Sequence, residues 1–156
     1  MYLSFVWPGK IKDPALRVME ESYLKRIRSM SEVRVAVTQE ARGLREKKNH
    51  GKILEIEAAG LEKRLKDDYI ICLVDKGKQM TSAEFADFLS RRELETSKPT
   101  TFVVGEFLGL ADRILAAADV KLSLSRMTFS HELSRVMLLE QIYRALTMLK
   151  GKKYAK

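Results

Sequence analysis

The sequence Tyr69-Ile70-Ile71-Cys72-Leu73-Val74 is an uninterrupted apolar run near the middle of the chain. A strand that is apolar on both faces is typical of a parallel sheet that helices cover on each side. The turn-forming stretch Asp75-Lys76-Gly77-Lys78 follows at once and predicts that the strand stops at Val74. The run therefore predicts an α/β protein with a buried strand at this place.

Strand and helix signals alternate on both sides of this run. Before it, strands are predicted at residues 2–7 and 33–37. Helices are predicted at residues 13–30, with a capped start at Asp13-Pro14, and at residues 54–65. After it, a capping box at residues 81–84 begins a helix. Strands are predicted at residues 100–104 and 120–124, and helices at residues 110–118 and 131–150. Residues 38–50 are polar and basic without periodicity, and they predict a mobile loop. The order of the elements predicts a largely parallel sheet.

The last predicted helix is apolar around more than one narrow stripe. Its apolar residues include Leu133, Val136, Leu139, Ile142 and Leu146. A helix of this kind needs two burial surfaces. We expect one of them on the sheet of its own chain and the other on a partner subunit.

The composition predicts one basic, folded domain over residues 1–156. Of the 156 residues, 46% are hydrophobic, which is enough for a single core without disulfides or metals. Lysine and arginine number 29 against 21 acidic residues, a net charge of +8, and +6 of it lies in residues 121–156. Such a surface concentrates phosphate-bearing partners, although a solvated face explains the same pattern equally well.

The cysteine content and the lack of long apolar runs indicate the compartment. Cys72 lies inside the buried run as the only cysteine of the sequence, so we expect a buried thiol and a reducing environment. No stretch approaches the roughly 18 apolar residues of a membrane span, and residues 1–12 lack the features of a signal peptide. A cytoplasmic protein without a membrane partner is therefore expected.

Common nucleotide and metal motifs do not occur in the sequence. Neither G-x-G-x-x-G nor G-x-x-x-x-G-K-[ST] is found, so a Rossmann dinucleotide site and a P-loop have no support. The two histidines and the cysteine are far apart, which argues against a metal site. The stretch Gly105-Glu106-Phe107-Leu108-Gly109 follows a predicted strand, where α/β proteins bind ligands, but a tight loop is the better explanation of its glycines.

The carboxy-terminal third of the chain carries a family resemblance. The stretch Leu122-Ser123-Leu124-Ser125-Arg126-Met127-Thr128-Phe129-Ser130-His131, the helix after it and the ending Gly151-Lys152-Lys153-Tyr154-Ala155-Lys156 resemble the bacterial SPOUT methyltransferases that modify pseudouridine in large-subunit ribosomal RNA. The resemblance extends back through Val103-Val104-Gly105 to the first βα turn at Pro8-Gly9-Lys10-Ile11-Lys12. It thus covers nearly the whole chain.

The resemblance implies properties that the residue pattern alone does not give. It implies a SPOUT-type, mostly parallel sheet flanked by helices, with the carboxy-terminal part threaded into a trefoil knot, a topology that general folding rules otherwise exclude. It also implies S-adenosylmethionine as cofactor, no metal, and a homodimer. The homodimer would explain the two-sided apolar helix.

The resemblance assigns the cofactor pocket to three segments. Val74 at a strand end, Gly105 after the next strand, and the loop of Leu124, Ser125, Arg126, Met127, Thr128 and Phe129 would bind S-adenosylmethionine. An adenine needs apolar walls, and a glycine allows the main chain to approach a nucleoside closely. Without the resemblance, core packing would be the better interpretation of Met127 and Phe129.

Methyl transfer to a pseudouridine ring nitrogen needs a base and charge stabilisation, because that N–H group is a poor nucleophile. By the resemblance, Arg135 contacts RNA phosphate or base, Tyr154 positions the ring, and Lys156 stabilises charge. His131 either lies at the cofactor loop, as the matching family histidine does, or caps the following helix.

Three positions depart from the family pattern. Ala155 stands where the family usually has histidine, Glu106 where a second glycine is usual, and Ser130 where a proline is usual. Alanine cannot accept a proton, and the other two changes affect the rim of the pocket. The purpose of the charge on Glu106 does not follow from the sequence.

The resemblance therefore implies an S-adenosylmethionine-dependent methyltransferase that acts on N-3 of pseudouridine in large-subunit ribosomal RNA. A small basic dimer without a separate RNA-binding domain needs a large preformed RNA surface, which favours the assembled ribosome as substrate. Ala155 and the altered glycine loop leave open a catalytically weakened homologue that binds the cofactor or ribosomal RNA. A nucleic-acid-binding module without cofactor is the third hypothesis.

Overall fold

The computed structural model describes residues 1–41, 49–65 and 67–154. Within these ranges strands and helices alternate in the order β1 (Tyr2–Pro8), α1 (Pro14–Arg28), β2 (Glu32–Thr38), α2 (His50–Glu62), β3 (Tyr69–Lys78), α3 (Ser82–Glu95), β4 (Thr100–Val103), α4 (Asp112–Ala116), β5 (Val120–Leu122) and α5 (His131–Leu149). Most of the loop predicted at residues 38–50 falls on residues 42–48 and lies outside the described ranges.

The strands form one sheet in the order β2-β1-β4-β3-β5. Every neighbouring pair is parallel. Ile70, Ile71 and Cys72 of β3 are buried, so the apolar run is a covered strand as predicted. The α/β fold with a mostly parallel sheet flanked by helices is confirmed, and the trefoil knot stays a prediction.

Helices cover both faces of the sheet. Alternate side chains of a strand point to opposite faces, and β1 places Leu3, Phe5 and Trp7 in one core and Val6 in the other. The first core contains buried residues of α1, α3 and α5, and the second contains buried residues of α2 and α4. Burial in the second core raises the pKa of the Cys72 thiol to about 12, which confirms the buried thiol.

Two helix starts confirm their sequence signals. The side chain of Asp13 accepts hydrogen bonds from the backbone N–H groups of Ala15 and Leu16, with Pro14 in the first turn of α1. Thr81 and Glu84 form a reciprocal capping box at the start of α3. Because a cap depends on residues close in sequence, both starts could be predicted without tertiary information.

The prediction that β3 stops at Val74 is wrong. The strand continues to Lys78, and Leu73 and Lys78 both pair with Leu122, so its ladder with β5 is irregular between these two residues. Gly77 allows the close approach, because a Cβ atom at this position would lie 2.7 Å from the carbonyl oxygen of Lys121. Residues 75–78 have the composition of a turn, but Gly77 is there because it allows β3 and β5 to pack closely.

Other element ends also differ from the prediction. The second helix begins four residues earlier, at His50, and ends at Glu62; α4 is shorter than predicted and β5 ends at Leu122. None of the helices in the described ranges is long and apolar enough to cross a membrane.

Candidate functional site

A cavity of about 580 Å³ opens at the carboxyl end of β4, beside the middle of the longer strand β3. Ligands of parallel α/β sheets bind at this edge. The cavity is lined by the middle of β3, the loop after β4 and the segment between β5 and α5, including Leu73, Val74, Asp75, Gly105, Glu106, Phe107, Leu124, Ser125, Met127, Thr128, Phe129 and His131. Val74 thus lies within β3 and not at a strand end as predicted. The structure thus brings together seven of the eight predicted cofactor residues, and the remaining one, Arg126, is exposed beside the cavity.

Local hydrogen bonds shape the segment between β5 and α5. The hydroxyl of Ser123 donates to the backbone oxygen of Ser125 at 2.9 Å, and the hydroxyl of Ser125 accepts from the backbone N–H of Met127 at 3.0 Å. The hydroxyl of Thr128 lies 3.2 Å from a carboxylate oxygen of Asp75, which connects the segment to β3. These bonds hold the segment as one wall of the cavity.

The loop from Gly105 to Gly109 forms another wall. The backbone N–H of Gly109 donates to the backbone oxygen of Glu106 at 2.8 Å, and Gly109 has a φ of +77°, which favours glycine. A Cβ atom on Gly105 would collide with the backbone carbonyl of Gly109. Gly105 is therefore required by the closure of its own loop, the second of the two explanations that the sequence left open for this glycine.

Glu106 is the centre of a buried ionic cluster beneath this loop. One carboxylate oxygen accepts a hydrogen bond from Nη2 of Arg135 at 2.8 Å, and the other lies 2.8 Å from Nε2 of His131. Glu106 and Arg135 are both buried. The charge that had no explanation in the sequence therefore joins the loop after β4 to the first turns of α5.

The prediction that Arg135 contacts RNA is wrong. Its side chain is completely buried and donates to the backbone oxygens of Pro8, at 2.6 Å, and Gly9, at 3.0 Å, besides Glu106. The guanidinium group also lies 5.1 Å from the ring centroid of Trp7. Burial lowers the pKa of Arg135, and the charge of Glu106 opposes this effect. Arg135 connects the β1–α1 turn to the cavity loop.

The start of α5 rules out one of the two hypotheses for His131. The hydroxyl of Ser130 accepts from the backbone N–H of Leu133 at 3.3 Å, so Ser130 is the cap and the idea that His131 caps the helix is wrong. His131 lies in the wall of the cavity with its side chain turned to Glu106. The serine that replaces the usual proline thus supplies a helix cap.

Glu57 of α2 is a second buried acid near this cluster. Burial, and after it the negative charge of Glu106, raise the pKa of its carboxyl to about 7, although a hydrogen bond from the backbone of Ala41 acts in the opposite direction. No sequence signal pointed to Glu57, because a glutamate in a helix is usually exposed.

Tyr154 lies away from the cavity within its own chain. Its ring is 4.9 Å from that of Tyr143, edge to face, and 4.6 Å from the guanidinium carbon of Arg144. Burial raises the pKa of Tyr154, and interactions with Tyr23 and Glu140 raise it further. Lys156 and Ala155 lie outside the described residues, so their predicted places near the cofactor stay predictions.

A second groove, of about 430 Å³, lies between α1, α3 and α5 on the opposite side of the sheet from α2. Its lining is largely apolar and includes Met19, Phe85, Leu133, Val136 and Met137, together with Tyr23 and Glu140. Met19 is 44% exposed. The predicted second apolar surface of α5 therefore exists, next to the place of Tyr154.

The sequence and the fold are similar to those of known methyltransferases. A family model described as Predicted SPOUT methyltransferase matches residues 1–155. The chain is 41% identical to the ribosomal RNA large subunit methyltransferase H of Maridesulfovibrio salexigens over 97% of this chain and 96% of that protein. It is 38% identical to the protein of the same name from Clostridium botulinum over 100% of both chains.

Solved structures share the fold at low sequence identity. A probable methyltransferase from Bordetella pertussis Tohama I has a TM-score of 0.58 and 13% identity, covering 92% of this chain and 93% of that one. Archaeoglobus fulgidus Nep1, bound to S-adenosylhomocysteine, has a TM-score of 0.50 and 10% identity, covering 93% and 99%. With the full-length family match, these findings establish that the chain belongs to the SPOUT rRNA methyltransferase family.

Proposed function

We propose that this methyltransferase transfers a methyl group from S-adenosylmethionine to N-3 of pseudouridine in large-subunit ribosomal RNA. The observation that carries the proposal is the cavity in which Val74, Gly105 and the segment after β5 meet. These residues stand where the family resemblance expects the cofactor. The names of the full-length relatives support ribosomal RNA of the large subunit as substrate.

The residues of the cavity fit S-adenosylmethionine. A volume of about 580 Å³ lies within the usual range for small-molecule sites. Val74, Leu124 and Phe129 offer apolar surface for an adenine, and the hydroxyl groups of Ser125 and Thr128 already hold their own segment in place. When bound, this cofactor supplies an electrophilic methyl group on a sulfonium. Nep1 of the same fold was solved with the product form of this cofactor.

The acceptor nitrogen has to lose its proton and its ring has to be held in place. We assign positioning of the ring to Tyr154 and stabilisation of the developing negative charge to Lys156. Arg135 is left with a positioning role, because its buried guanidinium connects the cavity loop to the β1–α1 turn. Ala155 accepts no proton, so a base must come from another group if turnover is fast.

We further propose that the protein acts as a homodimer through the groove between α1, α3 and α5. A second copy is the occupant that the groove fits, because the apolar lining continues the α5 face, which residues 1–41, 49–65 and 67–154 leave without cover. Tyr154 lies beside this groove, so a dimer would place each tail near the partner.

If the groove is the dimer interface, a negative charge introduced into it should separate the two subunits. Light scattering should give twice the monomer mass of 17.9 kDa, and Met137→Glu should shift the protein to monomer, because the interface would bury an unpaired carboxylate. Leu94→Glu, on an exposed part of α3 outside the groove, is the matched control and should stay dimeric. A wild-type protein that is monomeric at micromolar concentration would contradict the proposed interface.

The proposed reaction is tested on cells and on the purified protein. Mass spectrometry of ribosomal RNA nucleosides should find a methylated pseudouridine in cells with this gene and none in cells without it. The purified protein should bind S-adenosylmethionine in calorimetry and methylate ribosomes from the deleted strain. Cofactor binding without methyl incorporation would favour the weakened homologue that Ala155 suggests. No cofactor binding would overturn both hypotheses.

A further inference from the structure

Phe107 is an exposed aromatic ring on the rim of the cavity. It is 62% exposed, and among the large apolar residues that the described part of the chain leaves exposed it is the single aromatic one. Its ring stands nearly perpendicular to that of His50 at the start of α2, with 6.2 Å between the centroids. An exposed phenyl ring beside a ligand cavity offers an apolar face to a substrate.

The residues around Phe107 hold the ring in place. Glu106, directly before it, is buried and bound on its two carboxylate oxygens by Arg135 and His131. The backbone of Glu106 is bonded to Gly109 on the other side of the ring at 2.8 Å. A ring on a loop anchored in this way loses little conformational freedom when it binds a ligand. The buried cluster thus fixes the loop that carries the ring.

The rim beside the cavity also carries apolar surface and positive charge. Met127 lines the same cavity and is 74% exposed. Its neighbour Arg126 is exposed and, within the described residues, makes no hydrogen bond or ion pair. A ring that stacks on bases and a cation that attracts the phosphate backbone are the two elements of a surface for single-stranded nucleic acid.

We infer that Phe107 is a positioning residue on which a base of the RNA substrate stacks, with Arg126 contacting the adjacent phosphate. This inference rests on the proposed function and adds the place where the RNA enters. A partner copy is a poorer occupant, because Phe107 contacts α2, whereas the apolar groove lies on the other face of the sheet. The cofactor is a poorer occupant as well, because ligand sites bury most of their ligand and this ring is 62% exposed on the rim.

The variant Phe107→Ala tests the inference on ribosomes from a strain without this gene. Loss of one stacked base should raise KM for ribosomes by about 5- to 150-fold and change kcat much less. Calorimetric affinity for S-adenosylmethionine and the mass in light scattering should stay at wild-type values. Phe107→Trp should retain the wild-type KM, since indole also stacks. Leu94→Ala, which removes an 85% exposed apolar side chain of α3, is the matched control.

A binding measurement separates this inference from the proposed function. Fluorescence anisotropy with a labelled single-stranded oligouridylate should show weaker binding by Phe107→Ala and by Arg126→Ala, whether or not the wild-type protein methylates ribosomes. If Phe107→Ala binds the oligonucleotide and ribosomes as tightly as the wild type, the inference is wrong. If it loses cofactor affinity or dimerisation instead, the ring covers the cofactor or the partner, and the inference is again overturned.

Discussion

Replacement of Arg135 with leucine is expected to lower the free energy of unfolding by about 3 to 5 kcal/mol. The substitution leaves the buried carboxylate of Glu106 without the guanidinium that binds it at 2.8 Å. It also leaves the backbone oxygens of Pro8 and Gly9 without their donors. Leucine fills part of the space but offers no compensating hydrogen bond. Urea unfolding followed by circular dichroism measures the difference.

The matched control is Arg113→Leu, which removes an arginine of the same length from a surface ion pair. Arg113 binds Glu55 and Glu62, both of them exposed, so we expect a much smaller loss of stability. The double variant Arg135→Leu with Glu106→Leu removes both buried charges and should recover part of the stability that the single variant loses. If Arg135→Leu and the wild-type protein unfold at the same midpoint concentration of urea, the buried cluster does not hold the cavity loop.

The stability effect should also appear in the cofactor site. The loop from Gly105 to Gly109 depends on Glu106, and Glu106 depends on Arg135, so a folded Arg135→Leu protein should bind S-adenosylmethionine more weakly. A catalytic contact of Arg135 with RNA would instead leave cofactor affinity unchanged and reduce only methylation.

The sheet could be predicted because its signals are local. The apolar run in β3, the cap at Asp13 and the capping box at Thr81 each depend on residues within a few positions, and all three appear in the structure. The segment after β5 meets Val74 and Gly105 in one cavity as the family resemblance expected. Without the resemblance, core packing would have been the interpretation of Met127, and the structure leaves this residue 74% exposed.

The errors concern residues whose partners are distant in sequence. Arg135 lies in the basic segment 121–156 and resembles an RNA contact until its bonds to Glu106 and to Pro8, 127 residues earlier, are known. The end of β3 was missed because Gly77 is needed for contact with β5, more than 40 residues later. Burial of a charge depends on tertiary packing, which no local pattern records.

Removal of residues 154–156 is expected to lower the rate of ribosome methylation by about 10²-fold or more. The deletion takes away the ring of Tyr154 and the charge of Lys156, which we assign to positioning the uracil-like ring and to stabilising its negative charge. Cofactor affinity should change little, because the residues that line the proposed cofactor cavity lie in β3, in the loop after β4, in α4 and in the segment that leads from β5 into the first turn of α5, and none of them lies in the tail. Single-turnover methylation and calorimetry on the same preparation separate the two effects.

The control for the lost charge is Lys152→Ala, which removes one positive charge from the same tail and keeps residues 154–156 in place. It should methylate ribosomes at nearly the wild-type rate. Because Tyr154 packs on Tyr143 and Arg144, thermal unfolding and light scattering must show that the shortened protein is folded and has the wild-type mass. A shortened protein that methylates at the full rate would leave the tail without a catalytic role.

Ala155→His then decides how this chain replaces the missing base. A positioned general base contributes about 10²- to 10⁴-fold, so an imidazole between Tyr154 and Lys156 should raise the rate steeply if the present enzyme reacts without one. The rate should increase with pH through the range in which histidine loses its proton, near its ordinary pKa of about 6.5. An unchanged rate and pH profile would mean that solvent, the RNA or another side chain already removes the proton. In that case the alanine is tolerated because the chemistry at this position has moved elsewhere in the site.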